Sequence, residues 1–161
     1  MLFRSVLVAR SAGRDPAKLG GDFFASPDGQ DTGRGGRAIA AGDVNGDGRA
    51  DLIVTGDNLL GTGNEVTIYN GADLAAGKFP GGGASVLADF RVGGQSPSAL
   101  VSVATTNADG DTKADLAVGS GAGQSSQVKV YLGKDVSGTT EPSSTQFDPF
   151  GTVTLNGVFV G

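Results

Sequence analysis

Cysteine and histidine are both absent from the 161 residues. Without cysteine there is no disulfide framework, no thiolate nucleophile and no zinc–thiolate site. Without histidine the chain lacks the commonest general base and the commonest transition-metal ligand. Serine and threonine are plentiful, yet no imidazole is present to activate them. Long apolar runs are also missing: no stretch approaches the roughly 20 apolar residues that span a bilayer, so membrane insertion is not expected. The N-terminal LFRSVLVA is too short an apolar run for a secretory signal and reads as a strand. Positive charge is sparse, with 12 Lys and Arg against 17 acidic residues and a net charge of −5, which weighs against nucleic-acid binding. Glutamate is scarcer still. Only Glu65 and Glu141 carry that side chain, and every other acid is aspartate. Aspartate is a poor helix former and a good turn residue, and its short carboxylate suits a compact loop folded around a cation.

What is abundant is glycine, 29 residues, in a chain whose hydrophobic residues make up 38%. With no strict G-x-y period this is not collagen, and that apolar content is enough to build a core. Glycine set among Val, Ile, Leu and Thr runs describes short strands joined by tight turns. The expected fold class is all-β.

The chain repeats itself. AIAAGDVNGDGRADLIV (38–54) matches SVATTNADGDTKADLAV (102–118), and EVTIYNG (65–71) matches QVKVYLG (127–133) two residues closer to its loop. Each unit reads as four strands, expected at 37–41, 51–55, 65–69 and 85–92, and again at 99–105, 115–119, 127–131 and 146–154. Val66 and Ile68, like Val128 and Val130, alternate in period two and belong on one face. Gly157 to Gly161 resembles the lead-in Gly36 to Ala40, while LFRSVLVA and DFFASPDG resemble the third and fourth strands of a preceding unit. The organisation expected is therefore the end of a preceding unit over 1–36, complete units over 37–97 and 98–156, and the start of a following one over 157–161. Such a chain is expected to complete its sheets with further units or by self-association. Phe23, Phe24, Phe90, Phe147, Phe150 and Phe159 are expected in the core between units, and Tyr69 and Tyr131, at matching places, in a shared packing role.

The acidic loops are DVNGDGRAD (43–51, loop 1) and NADGDTKAD (107–115, loop 2). Both place oxygen-bearing side chains at positions 1, 3, 5 and 9: Asp43, Asn45, Asp47 and Asp51, and Asn107, Asp109, Asp111 and Asp115. Alternate spacing lets a curled backbone turn every second side chain inward. Position 7, Arg49 or Lys113, has no side-chain oxygen, so its backbone carbonyl is the natural further ligand. Oxygen donors at this density, without nitrogen or sulfur, select Ca²⁺. Like charges about 4 Å apart repel by roughly 1 kcal/mol even in water, and a divalent cation reverses that penalty. An EF-hand is excluded, because position 12, which needs a bidentate glutamate, is Val54 or Val118 and the flanks are β-like.

The arrangement D-x-[DN]-x-[DN]-G-x-x-D followed by an apolar strand, then V-x-I-Y-N-G (66–71) or V-x-V-Y-L-G (128–133), resembles the FG-GAP repeats of integrin α-subunit β-propellers and the similar VCBS-type bacterial repeats. The resemblance covers residues 37–133 well, although neither unit carries a clear FG-GAP tetrapeptide. It implies a β-propeller-like array of four-stranded antiparallel blades, with Ca²⁺ held between the first two strands of each blade by the positions named above. Loop 2 departs from loop 1 in beginning with Asn107 and in carrying Thr112 where loop 1 has Gly48. If that position needs φ > 0, a β-branched residue is strained there, so the second site is expected to be the weaker.

The function expected is a non-catalytic calcium-binding repeat module with structural calcium. It would serve adhesion, scaffolding or interaction with a protein or carbohydrate ligand in an extracellular or cell-surface protein. The alternatives are an accessory propeller of a larger secreted enzyme, or a calcium-assisted propeller hydrolase or lyase. The missing histidine weighs against the last.

Overall fold

The computed structural model describes residues 9–12, 15–18, 37–56, 62–151 and 155–161. Over these the expected all-β class holds. β1 (Ala9–Ala12) and β2 (Asp15–Lys18) form an antiparallel pair. β3 (Ile39–Gly42), β4 (Asp51–Thr55), β5 (Glu65–Tyr69) and β6 (Val86–Arg91) follow one another across an antiparallel sheet, and β7 (Ser102–Thr106), β8 (Asp115–Gly119), β9 (Val128–Tyr131) and β10 (Ser144–Phe147) repeat that order in a second. The two four-stranded meanders are propeller-like blades.

The second strand of each unit and β5 lie where expected, β9 begins one residue later than expected, and the remaining boundaries shift for local reasons. β3 begins only at Ile39, because Ala38 is held on the side chain of Thr55: its amide donates to Thr55 Oγ1 at 2.7 Å, and its carbonyl accepts the Thr55 amide at 2.9 Å. β7 begins only at Ser102, because Val101 is bonded instead to the Gly63 carbonyl of the first blade, at 3.0 Å. The fourth strand expected at 146–154 runs from Ser144 and stops at Phe147. There Asp148 Oδ1 accepts the amides of Phe150 and Gly151 and turns the chain, and Pro149 has no N–H to continue a ladder. Residues 152–154 of that expected strand lie outside the described residues. So does all of DFFASPDG, and LFRSVLVA apart from Ala9. Phe23 and Phe24 lie outside them too.

One short helix, α1 (Gly71–Ala75), interrupts the first blade between β5 and β6. The Asn70 side chain caps it, accepting the amides of Ala72 at 2.8 Å and Asp73 at 3.2 Å. Five residues carry too little periodicity to be read as a helix in advance. The second blade has a 3-10 turn, Gly133–Asp135, at the matching place.

The blades pack face to face. Register pairs Ile53 with Ile68 and Val66 with Phe90, so these residues share one face of the first blade. That face meets Val103, Leu116, Val118, Tyr131 and Val136 of the second blade in one buried cluster. Each fully buried side chain of this size contributes about 1.5–3 kcal/mol. The opposite face of the first blade buries Leu52, Val54, Tyr69 and Leu74. These are the counterparts of Leu116, Val118, Tyr131 and Val136, so the interface joins two unlike faces of like blades. β5 is consequently buried on both sides, where its alternation suggested only one.

The expectation of a phenylalanine core holds for Phe90, 2% exposed, whose ring meets that of Tyr131 at a centroid distance of 5.2 Å and an angle of 58°. It fails for Phe147, Phe150 and Phe159, which are exposed. Phe147 pairs with Val128 as Phe90 pairs with Val66. The two phenylalanines are counterparts, and they differ because the blade that covers Phe90 has no equivalent over Phe147 among the described residues.

The edge of the first blade is also closed by the second. Asp89 donates its amide to the Gly138 carbonyl at 2.8 Å, and Gly138 donates to Leu87 at 3.1 Å, so the β9–β10 loop runs along β6 and masks its free groups. Lys129 Nζ reaches the Gly93 carbonyl at 2.8 Å in the segment joining the blades, and Glu141 at 2.9 Å. Glu141 also accepts from Tyr131 Oη at 2.7 Å, which fixes the ring that packs on Phe90. Burial and then this carboxylate raise the Tyr131 phenol well above its ordinary range. Burial alone would raise Glu141, but the Lys129 ammonium and the Tyr131 hydroxyl hold it below the ordinary carboxylate value.

Candidate metal centre

Loop 1 joins β3 to β4 and loop 2 joins β7 to β8, the same turn of the two blades. Three contacts set them side by side. Thr105 Oγ1 donates to the Ala41 carbonyl at 3.0 Å, and the Ala114 amide donates to the Asp43 carbonyl at 2.7 Å. Val44, at position 2 of loop 1, is buried in the core between the blades.

The position-9 aspartates anchor the loops. Asp51 is fully buried. Its Oδ2 accepts the amides of Val44 at 3.0 Å and Asn45 at 3.3 Å, and its Oδ1 accepts Gly71 at 2.8 Å. Asp115 repeats this, with Oδ2 on the amides of Ala108 and Asp109 and Oδ1 on Gly133 at 2.8 Å. Each carboxylate thus ties the start of its loop to the residue just past the third strand. That leaves lone-pair capacity for one more partner, since an ionised carboxylate has about four acceptor sites. Burial pushes the Asp51 carboxyl up, against the pull of its three amide donors.

The glycine closing Y-N-G and Y-L-G follows from this tie. A Cβ on Gly71 would collide with the Ala50 carbonyl, and one on Gly133 with that of Ala114, because backbone passes backbone where the anchor is made. At position 4 both loops need φ > 0, with Gly46 at 81° and Gly110 at 80°. Position 6 differs. Gly48 has a φ of 83°, but Thr112 does not adopt a positive φ, since among the described residues only glycines do. Loop 2 reaches its anchor by another path without strain at Thr112, so the strain expected there does not arise.

The remaining acids split between the loops. Asp43 Oδ1 accepts Gly46 and Asp47 and its Oδ2 accepts Gly48, while Asp47 Oδ1 accepts Arg49, so loop 1 folds around its own carboxylates. Asn45 Oδ1 accepts the Asp47 amide at 2.8 Å. In loop 2, Asn107 Oδ1 takes the Gly110 amide and its Nδ2 donates to the Asp111 carbonyl, while Asp111 Oδ1 takes the Lys113 amide. Asp109, Asp111 and Asp115 bring one carboxylate oxygen each to within 4.8 Å of one another, the one such acidic set among the described residues. These oxygens suit a hard cation such as Ca²⁺. Three of the five expected ligands of loop 2 are therefore gathered, and in both loops the carboxylates also accept backbone amides, Asp109 Oδ1 taking that of Asp111.

Two features escaped the sequence. Lys134 Nζ lies 2.8 Å from Asp109 Oδ2, a contact that holds Asp109 below the ordinary carboxylate range and raises Lys134. Lys134 lies far from loop 2 in the chain. The one signal for it is its place directly after the repeated Y-x-G glycine, where the first blade has Ala72. The clamp of Lys129, Tyr131 and Glu141 had no counterpart in the first unit to reveal it.

Comparison with curated proteins returned no match, and neither did comparison with solved structures. Comparison with family models matched residues 35–69 to the FG-GAP repeat. That span takes in β3, loop 1, β4 and β5, the segment anchored by Asp51. The chain therefore carries a repeat of the FG-GAP type, on a nearly all-β, propeller-like pair of blades.

Proposed function

We propose that the chain is a non-catalytic module whose two loops bind Ca²⁺ as a structural ion. The observation that carries this is the gathering of Asp109, Asp111 and Asp115 oxygens in the turn that matches the FG-GAP repeat of the first blade. In loop 1 the ligands would be Asp43, Asn45, Asp47, the Arg49 carbonyl and Asp51. In loop 2 they would be Asn107, Asp109, Asp111, the Lys113 carbonyl and Asp115. The ion supplies positive charge that offsets like-charge repulsion, and it staples the β3–β4 and β7–β8 turns. Loop 2 is the weaker site, because Asn107 replaces a charged ligand and Lys134 stands on Asp109.

An extracellular or cell-surface setting suits such sites, since millimolar calcium saturates even an affinity of about 10⁻⁴ M. No helix among the described residues is long and apolar enough to cross a membrane. The module would present its loops for adhesion or scaffolding, toward a protein or carbohydrate ligand.

Thermal unfolding in millimolar CaCl₂ and in excess chelator tests the calcium reading. A ligand at about 100 times its dissociation constant adds roughly 2.7 kcal/mol per site. A calcium-dependent rise in midpoint, cut by Asp47→Ala and by Asp111→Ala, is the expected result. A midpoint indifferent to calcium would make both loops ordinary turns.

A further inference from the structure

We propose that Lys134 sets the calcium affinity of loop 2, its ammonium serving as a tethered counter-ion that the incoming ion must displace. The inference rests on the calcium reading above and concerns the same site. Three observations carry it. The Lys134 ammonium is 2.8 Å from Asp109 Oδ2, one of the three carboxylates gathered in the loop. Its backbone is placed there by the loop itself, because the preceding residue, Gly133, donates its amide to Asp115 Oδ1. The first blade makes the same tie between Gly71 and Asp51 but follows it with Ala72, so loop 1 has no such cation at that point.

The two loops are therefore built for different occupancies. In loop 1 the charge of Asp43 and Asp47 is met by backbone amides, which can stay in place as an ion binds. In loop 2 Asp109 and Asp111 also take backbone amides, but Asp109 is met in addition by a half-exposed ammonium on a flexible stem, which competes with Ca²⁺ for it. A unit charge beside a divalent ion in a solvated loop is enough to change affinity by about tenfold, and high salt screens the effect.

The test is calcium titration by calorimetry, together with thermal midpoints in chelator and in calcium, on the whole chain carrying Lys134→Gln. Lys134→Arg keeps the charge, and Lys78→Gln removes a surface ion pair outside both loops. Lys134→Gln is expected to strengthen the weaker site about tenfold, to lower the midpoint in chelator and to widen the gap between the two midpoints. Lys134→Arg and Lys78→Gln should leave the affinity unchanged, and the gain should disappear when Asp111→Ala is combined with Lys134→Gln. A Lys134→Gln protein that binds calcium as the parent does, with both midpoints shifted alike, would show a plain surface ion pair and overturn the proposal. A parent chain that binds no calcium would overturn the calcium reading itself, and the proposal with it.

Discussion

The backbone carbonyl of Asp43 accepts a hydrogen bond from the amide of Ala114 at 2.7 Å. That amide belongs to the peptide group whose other end is the Lys113 carbonyl, the expected position-7 ligand of loop 2. Position 1 of one loop is thus bonded to the peptide that would serve the other. Calcium binding at the two loops is expected to be coupled. In a double-mutant cycle on Asp47→Ala and Asp111→Ala, the losses of calcium-dependent stability should depart from additivity by at least about 0.5 kcal/mol, as for groups in one network. Additive losses would mean that the loops act alone.

Asp51 and Asp47 belong to the same loop but do different work. Asp51 is buried with three amide donors, whereas Asp47 is exposed. Asp51→Ala is expected to cost about 1.5–3 kcal/mol even in chelator, because it strands those amides. Asp47→Ala should cost little in chelator and act mainly on calcium binding. Urea unfolding in chelator separates the two; equal losses would assign both residues the same role.

The close passage at Gly71 and Gly133 leaves no room for a side chain. Gly133→Ala should lose about 1–3 kcal/mol from forced backbone movement, a fall in midpoint of roughly 2–4 °C per kcal/mol for a chain of this size. Gly82→Ala, whose added methyl meets only the Phe79 carbonyl and amide at ordinary contact distance, is the control and should lie within about 0.5 kcal/mol of the parent.

Phe90 and Phe147 are counterparts with opposite burial. Phe90→Ala is expected to cost about 3–5 kcal/mol, since it empties the space against Tyr131. Phe147→Ala should cost less than about 1 kcal/mol. Similar losses by chemical denaturation would mean that Phe147 is covered in solution.

Glu141 is expected to contribute to acid sensitivity at the junction of the blades. Its folded pKa is lowered. Its stabilising contribution is therefore fully present above the unfolded value of about 4.3 and is lost as pH falls through the folded value. Glu141→Gln should cost about 1–2 kcal/mol near neutrality, because the charge-assisted bonds to Lys129 and Tyr131 weaken. It should also flatten the decline of the urea midpoint below about pH 4.3, measured in chelator. A variant as acid-sensitive as the parent would place the titrating group elsewhere.

Much of this molecule is local and could be read from residue order. D-x-N-x-D-G dictates a turn whose side chains bond their own backbone. The strands after it alternate or run apolar, and the repetition of both marks two blades. Position 4 was not singled out in the sequence, although a glycine at φ near 80° there answers a purely local need. The end of β10 was less legible, because Asp148 Oδ1 takes the amides of Phe150 and Gly151 and turns the chain just past Phe147. Thr112 shows the limit of reading one loop from another: the same spacing closes by two backbone paths, and only one of them requires glycine at position 6.

The sequence by itself determined the β class, the blade repeat, the oxygen-rich loops and the absence of histidine- or thiol-based chemistry, because each depends on residue type and short spacing. Only the tertiary structure decided which phenylalanine is core, why Y-x-G ends in glycine, that Lys134 stands on Asp109, and that the Asp43 and Ala114 backbones join the loops. These are meetings of groups distant in the chain. They depend on how one blade lies against the next, and no local preference encodes that.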